Sequence, residues 1–397
     1  MPISQLTTTP EQIAMIAKEA IPLSLYIHVP WCVRKCPYCD FNSHQAAEEG
    51  IPEEEYLAAL ILDLEQLLPR VWGRRISTIF FGGGTPSLLS PQAVAKILSA
   101  IRARILCIPG HEVTLEANPG SIEMQKFQDF RDAGVSRISL GVQSFADKNL
   151  QLLGRIHDVD QAHRAVQSVI ACQYDSYNID LMFGLPGQDM LAAQRDLKTA
   201  LSYLPPHLSL YQLTIEANTP FMHLPPKGLP DDDLLADMQD ALVTEAAATG
   251  LERYEVSAYA KSGNQCRHNV NYWEFGDYVG IGAGAHSKIS DQSSVVRFSR
   301  PRLPRHYMET AGTLEAFIGE RKLQQNDLVV EYMINVLRLR KGFTLKQFSH
   351  HTGLHSAIVL PGIEGAKKKG LLVQQGDNIH ATDKGFAFLS EIQLLFT

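Results

Sequence analysis

Residues 23–44 read LSLYIHVPWCVRKCPYCDFNSH, an alternating apolar run that leads directly into three cysteines, Cys32, Cys36 and Cys39, spaced CxxxCxxC. LSLYIHV (23–29) has the period of two that marks a strand, so the cysteines occupy the loop that leaves it. Three thiols within eight positions favour metal binding over disulfide pairing in a reducing compartment. Two metals are open at this point. Zinc would close a Cys3His set with His28 or His44. An iron–sulfur cubane usually takes four thiolates, and Phe41 stands where a further cysteine would directly follow, so one iron would stay open to a ligand that is not protein.

Outward from this stretch the chain alternates. A helical pattern with an acidic first turn spans 52–68, and strands are expected at 77–81, 112–117, 137–142, 177–183 and 208–214. Helices are expected near 91–103, 121–133, 158–172, 189–203 and 231–249, with Asp231 to Asp233 as the acidic start of the last one. Six β/α units in a row imply a parallel sheet with right-handed crossovers, open or curled into a barrel. After a further strand expected at RYEVSAYA (253–260), the rhythm gives way to glycine- and aromatic-rich sequence. From 326 the pattern changes to three helices, a hairpin over GLLVQQGDNIHAT and a last helix, resembling a winged-helix module. The expected division is a terminal segment 1–21, a partial barrel 22–250, an extension and linker 251–325, and a winged-helix-like α+β domain 326–397.

Composition narrows the class. Of 397 residues 45% are hydrophobic and 20% charged, and no apolar run approaches the roughly 18 residues of a membrane span. The first twenty residues show neither an export signal nor a twin-arginine pair, which makes the cytoplasm the expected location. A formal charge of −7 argues against a general nucleic-acid binder, and Lys367 to Lys369 is read as a solvated helix end.

In parallel α/β folds ligands bind at the carboxyl ends of the strands, and polar or glycine residues recur there. The cysteine loop follows the first strand, Gly82-Gly83-Gly84-Thr85 follows the second, Glu116 closes the third, Gln143 follows the fourth, and Asp180 lies in the fifth. The glycine triplet is expected to expose backbone to a ligand. GIGAGAH (280–286) lacks the strand-to-helix context of a dinucleotide fingerprint.

This constellation resembles the radical S-adenosylmethionine superfamily. The resemblance implies an incomplete (β/α)6 barrel, a [4Fe–4S] cluster on Cys32, Cys36 and Cys39, and S-adenosylmethionine chelating the open iron through its amino and carboxylate groups. YIHVPWCVRKCPYCDF, GGGTPS, LEANPGS, SLGVQSF, LGRIH and IDLMFGLPGQ together resemble the oxygen-independent coproporphyrinogen III oxidase group. Carried over from it, Tyr26, Tyr38, Gly83, Gly84, Thr85, Glu116, Gln143, Arg155 and Asp180 would contact the cofactor. Carboxylates suit ribose hydroxyls and cationic centres, and Arg155 suits a carboxylate.

Two departures, Phe41 in place of a cysteine and a short amino-terminal extension, point to the other branch of the group, the heme chaperone family HemW. The mark of that family, HNxxYW, is present as His268, Asn269, Tyr272 and Trp273. By this resemblance the imidazole would meet heme iron and the aromatics the macrocycle, with Cys266 as a second candidate ligand. No CxxCH is present for covalent attachment. The expected function is therefore binding of heme as cargo and its transfer to apo-hemoproteins, respiratory and membrane-bound ones first among them. Docking at the inner face of the membrane and a homodimer are compatible with this reading. The rivals are oxidative decarboxylation of coproporphyrinogen III and a zinc-stabilised winged-helix regulator.

Overall fold

The computed structural model describes residues 21–121, 124–291 and 294–397. The expected segment 1–21, apart from Ile21, and part of the first turn of the helix expected at 121–133 lie outside them.

Strands β1 (Leu23–Val29), β2 (Ile76–Gly83), β3 (Cys107–Ala117), β4 (Arg137–Gln143), β5 (Ser176–Phe183) and β6 (His207–Gln212) are parallel neighbours in that order. Strands covered on both faces must be apolar or small almost throughout, and six of the seven residues of β1 are buried. Helices α1 (Glu53–Leu67), α2 (Pro91–Arg104), α3 (Met124–Ala133), α4 (Asp147–Leu152), α5 (Val159–Ala171), α6 (Met190–Ser202) and α7 (Asp232–Ala248) supply the crossovers. Their starts are chemically explicit. Asp158, Asp189 and Asp231 accept hydrogen bonds from the exposed backbone N–H groups of the first turn, and Asp231 to Asp233 form the acidic start expected.

The stretch after α7 differs from the sequence expectation in three ways. RYEVSAYA is not one strand but two short ones, β7 (Glu252–Arg253) and β8 (Ala258–Ala260), which pair antiparallel on the β6 edge. HNVNYW is helical, within α8 (Arg267–Trp273). The expected extension and linker carries more strand than the sequence announced: β9 (Asp277–Ile281), β10 (His286–Ser290), β11 (Val295–Ser299) and β12 (Ile318–Lys322), with α9 (Pro304–Thr310) between the last two. β9 runs parallel to β1, Leu23 opposite Asp277 and Ile27 opposite Ile281, so the parallel set has seven strands. The twelve-stranded sheet runs β12-β11-β10-β9-β1-β2-β3-β4-β5-β6-β8-β7 and its edges do not pair. The barrel is incomplete.

Asp277 pins β9. Its carboxylate accepts from Arg74 Nη1 at 2.6 Å and Lys288 Nζ at 2.9 Å in full burial. Burial alone would raise its pKa, but Lys288 and Arg74 outweigh that and hold it below the usual carboxylate value.

The carboxyl-terminal part contains α10 (Gln325–Val336), α11 (Leu345–Thr352), α12 (Leu360–Lys368) and a three-stranded sheet of β13 (Phe343–Thr344), β14 (Leu372–Gln375) and β15 (Asn378–Ala381), ordered β13-β15-β14. Its core gathers Tyr332, Phe343, Phe348, Ile363 and Ile379 and takes in Phe275, which follows α8. Glu274 adds two ties, accepting from His351 Nδ1 at 2.6 Å and pairing with Lys341. The joint between the two parts therefore sits beside HNVNYW.

Candidate functional site

The carboxyl ends of the parallel strands enclose a cavity of about 390 Å3. Cys32, Cys36 and Cys39 line it, together with eight of the nine residues expected to meet the cofactor: Tyr38, Gly83, Gly84, Thr85, Glu116, Gln143, Arg155 and Asp180. Tyr26 stands behind them. Its hydroxyl lies 3.0 Å from His28 Nδ1, and it faces two neighbouring cavities.

The cysteine loop is held from below. Gly84 N–H donates to Val29 O at 2.8 Å and Thr85 N–H to Trp31 O at 2.7 Å, so the glycine turn after β2 braces the loop after β1. Gly83 and Gly84 line the cavity, and their missing side chains also serve the packing beneath it. A Cβ on Gly84 would lie 2.4 Å from Trp31 O, and on Gly83, at φ +115°, 2.6 Å from the His28 ring. Gly84 thus allows close approach of two backbones, and Gly83 makes room for the His28 ring.

His28 is no spare zinc ligand. Tyr26 engages one ring nitrogen, and Nε2 lies 2.8 Å from Asn42 O. His44 Nε2 faces Arg302 O at 3.2 Å. Among the described residues no set of three His, Cys, Asp or Glu side chains converges on a single-ion position. Three half-buried free thiols spread around one cavity suit a multi-iron cluster better than one tetrahedral zinc. Burial raises the pKa of Cys32 and Cys39, so metal loading of this loop would release protons.

The rest of the cavity carries charge. Arg155 Nη2 donates to Gly141 O at 2.6 Å and Asn118 Oδ1 at 2.7 Å, while Nη1 reaches Cys36 Sγ at 3.9 Å. Among the described residues Glu116 accepts one hydrogen bond, at 3.2 Å from Gly83 N–H, and burial, with Asp180 adding to it, raises its pKa to about 8. Asp180 is better held, accepting from Asn178 Nδ2 at 2.6 Å and Ser139 Oγ at 3.4 Å, yet burial raises it too. Two buried carboxyl groups, neither in an ion pair among the described residues and only Asp180 stabilised by the charge of Arg137, fit a ligand that brings hydroxyls and positive charge. Gln143 sits at φ +72°, strained for a non-glycine residue, where β4 opens into the cavity. Asn118, Met182, Tyr211 and Leu213 also line it and escaped the sequence reading. Asn118 follows the end of β3, and the strand-end rule that selected Glu116 would have reached it.

The HNVNYW residues lie elsewhere. α8 closes the amino ends of the strands: Arg267 and His268 N–H donate to the Glu112 carboxylate at 3.3 and 3.2 Å, and Asn271 Nδ2 donates to Ser24 Oγ at 2.8 Å and Asp277 O at 2.9 Å. His268 is buried, with Nδ1 2.9 Å from Thr78 Oγ1 and its ring 4.9 Å from that of Phe80. Desolvation lowers its pKa to about 3. Among the described residues its Nε2 has no hydrogen-bond partner; it lines an interior cavity of about 250 Å3 with Asn269, Tyr272, Trp273 and Cys266, to which Glu116 and Asp180 also belong. The far side of Trp273 meets Arg338, whose guanidinium carbon lies 4.3 Å from the ring centre. The four residues thus sit on a packed floor rather than an open loop, because α8 spends its N-terminal donors and Asn271 on strand ends.

The chain matches the model of the radical SAM superfamily over residues 26–199 and that of the HemN C-terminal domain over 323–388. It is 45% identical over 376 residues to the heme chaperone HemW of Escherichia coli strain K12, covering 94% of this chain and 98% of that one. It is 44% identical over 380 residues to the heme chaperone HemW of Haemophilus influenzae, with the same coverage. The mouse mitochondrial radical S-adenosyl methionine domain-containing protein 1 is 34% identical, covering 94% of this chain and 86% of its own. Among solved structures, coproporphyrinogen III oxidase (HemN) from Escherichia coli, a radical SAM enzyme, aligns with a TM-score of 0.81 over 97% of this chain and 92% of its own at 22% identity, a likeness of fold.

Proposed function

From a chain that belongs to the radical SAM superfamily and, within it, to the heme chaperone HemW family, we propose a protein that binds heme and passes it to apo-hemoproteins. Similarity to heme chaperones along 94% of the chain carries this reading, and Phe41 at the site of the extra cysteine supports it. The superfamily implies a [4Fe–4S] cluster and S-adenosylmethionine. Cys32, Cys36 and Cys39 would hold the cluster, and Tyr38, Gly83, Gly84, Thr85, Glu116, Gln143, Arg155 and Asp180 would hold S-adenosylmethionine, with Tyr26 backing the wall. When bound, the two supply one-electron chemistry.

The chain's own residues position and shield. Arg155 offers a cation beside Cys36, Glu116 and Asp180 offer oxygen acceptors in a dry recess, and Tyr38 packs on Phe221 at 6.5 Å. Heme contacts for His268, Asn269, Tyr272 and Trp273 require α8 to withdraw from the strand ends, because 250 Å3 is less than the roughly 300 Å3 at which ligand pockets begin. The acceptors we propose are respiratory hemoproteins, met by docking at the cytoplasmic face of the membrane. No helix among the described residues is long and apolar enough to cross it.

Anaerobic titration of the cluster-loaded protein with heme, followed in the Soret band, tests the reading. Saturation near one heme per chain, with no protoporphyrinogen formed from coproporphyrinogen III under reductant, is expected. No heme binding together with porphyrinogen turnover would give the site to the oxidase instead.

A further inference from the structure

A third cavity, larger than either site above, adjoins both: it shares Gly83 and Glu116 with the cofactor cavity and Tyr26 and Tyr272 with the cavity above α8. It encloses about 790 Å3 between the cysteine loop and the β10–α9 segment, and is lined by Phe41, Tyr278, His286, Arg302, His306 and Ile318 among others. This volume lies within the range of pockets that take drug-sized and cofactor-sized ligands, about 300 to 1,000 Å3.

Three features of its wall point to one ligand class. His286 and His306 are both exposed, and among the described residues no hydrogen bond or ion pair engages either ring. Burial of the ring face and the Arg297 and Arg302 guanidinium groups lower the pKa of His286, which favours the neutral imidazole that binds metal. Apolar surface is offered beside them: Phe41 is 58% exposed and Ile318 44% exposed, and Tyr272 stacks on Tyr278 at 4.1 Å and 23°. Arg302 makes no ion pair among the described residues, and its Nε reaches Asn42 Oδ1 at only 3.5 Å, leaving donors for a carboxylate.

We propose that this cavity is a heme site in which His286 and His306 take the iron, Phe41, Tyr278 and Ile318 cover the macrocycle, and Arg302 meets a propionate. The assignment rests on the heme-carrier reading above and gives that reading an entry site needing no movement of α8. It also gives the family motif a part in the bound state, because Tyr272 belongs to this wall while His268 faces the floor. The cysteine loop forms one side of the site. Asn42, three residues after Cys39, donates to Ala283 O at 3.0 Å and Arg302 O at 2.9 Å, and a Cβ on Gly284 would lie 2.2 Å from Asn42 Nδ2. Loss of the cluster would therefore disturb the heme wall.

The test is anaerobic titration of the cluster-loaded protein with iron protoporphyrin IX, following the Soret band, in the wild type, the double variant His286→Ala/His306→Ala, Arg302→Ala and His268→Ala. Circular dichroism and iron content serve as folding controls, and both rings of the double variant are surface groups. The expected result is a Soret maximum displaced in the double variant with an affinity lower by about tenfold or more, equal to about 1.4 kcal/mol, and a smaller loss in Arg302→Ala. Folded His268→Ala should keep near-wild-type affinity. Unchanged binding in the double variant, with loss in His268→Ala, would overturn this site and leave the carrier reading standing. Absence of binding in the wild type would overturn the carrier reading, and the site with it.

Discussion

The two ends of one parallel sheet carry the chain's two conspicuous motifs and treat their polar groups in opposite ways. At the carboxyl end, backbone bonds fix the loops while the thiols and Glu116 stay uncommitted: three free thiols and a Glu116 with one weak donor, beside an Asp180 held by Asn178 and Ser139. At the amino end, the donors of α8 are consumed by Glu112, Ser24, Thr78 and Asp277, and a cavity of about 250 Å3 remains, which meets the mouth at Glu116 and Asp180. A motif names residue types, but whether their chemistry is offered to a ligand or used by the fold depends on which end of the strands they occupy.

The comparison breaks most sharply at the mouth. Replacing Cys36 with alanine should abolish cluster assembly, so that iron and sulfide in anaerobically reconstituted protein fall to background. The far-UV circular dichroism should stay native, because the thiol is half-exposed and stands outside the hydrophobic core, with Arg155 beside it. A variant that keeps its full iron would mean the three cysteines do not act as one ligand set. The floor should respond in the other currency, stability. His268→Ala removes a buried ring packed on Phe80 and Tyr272, a loss of about 2 to 4 kcal/mol, read as a lower urea midpoint. S-adenosylmethionine affinity should be untouched, and a changed affinity with unchanged stability would reverse the roles assigned to the two ends. A smaller effect is expected from Arg155→Lys. A single lysine nitrogen cannot hold Gly141 O and Asn118 Oδ1 and also reach Cys36 Sγ, as the two guanidinium nitrogens Nη2 and Nη1 do, and cofactor affinity should fall by about tenfold; equal affinity would place Arg155 outside the cofactor contacts.

Legibility followed the same division. β1 to β6 could be read because strands covered on both faces are almost continuously apolar, and the mouth could be read because glycines and charges interrupt those runs only at their carboxyl ends. β9 was not legible: DYVGI is five residues long, begins with an aspartate, and is a buried strand only because Arg74 and Lys288, distant in sequence or on another strand, neutralise that aspartate. β12, IGERK, is exposed along its length and has no apolar face to announce it. α8 is two turns long, with Cys266 rather than a capping side chain at its start, so nothing local marked it as a helix. His286 and His306 were passed over because each is a lone histidine until the fold brings β10 and α9 to one cavity.

The smallest expected effect separates the two ends by pH. Glu116 titrates at about 8 in the folded chain against 4.5 for an ordinary glutamate, because of burial first and Asp180 second. Between those values the folded state keeps a proton that the unfolded state has lost, so this group's contribution is full below pH 4.5 and fades as pH rises through 8. His268 runs the other way. Its folded value is about 3 against 6.5, so its contribution is full above pH 6.5 and fades as pH falls toward 3. Each group sets a slope of at most about 1.4 kcal/mol per pH unit between its two values. Urea midpoints measured from pH 4 to 9 on protein without cofactor should therefore bend down on both sides. Glu116→Gln should flatten the alkaline limb alone, and His268→Leu the acid limb in part, since His28, His157 and His351 are also lowered, to about 4. If Glu116→Gln runs parallel to the wild type from pH 5 to 8, its carboxyl group is already ionised and the mouth is wetter than its packing implies. Adding S-adenosylmethionine to the wild type sharpens the point: a cation beside Glu116 favours its ionised form and should lift the alkaline limb, while the acid limb set by the floor stays where it was.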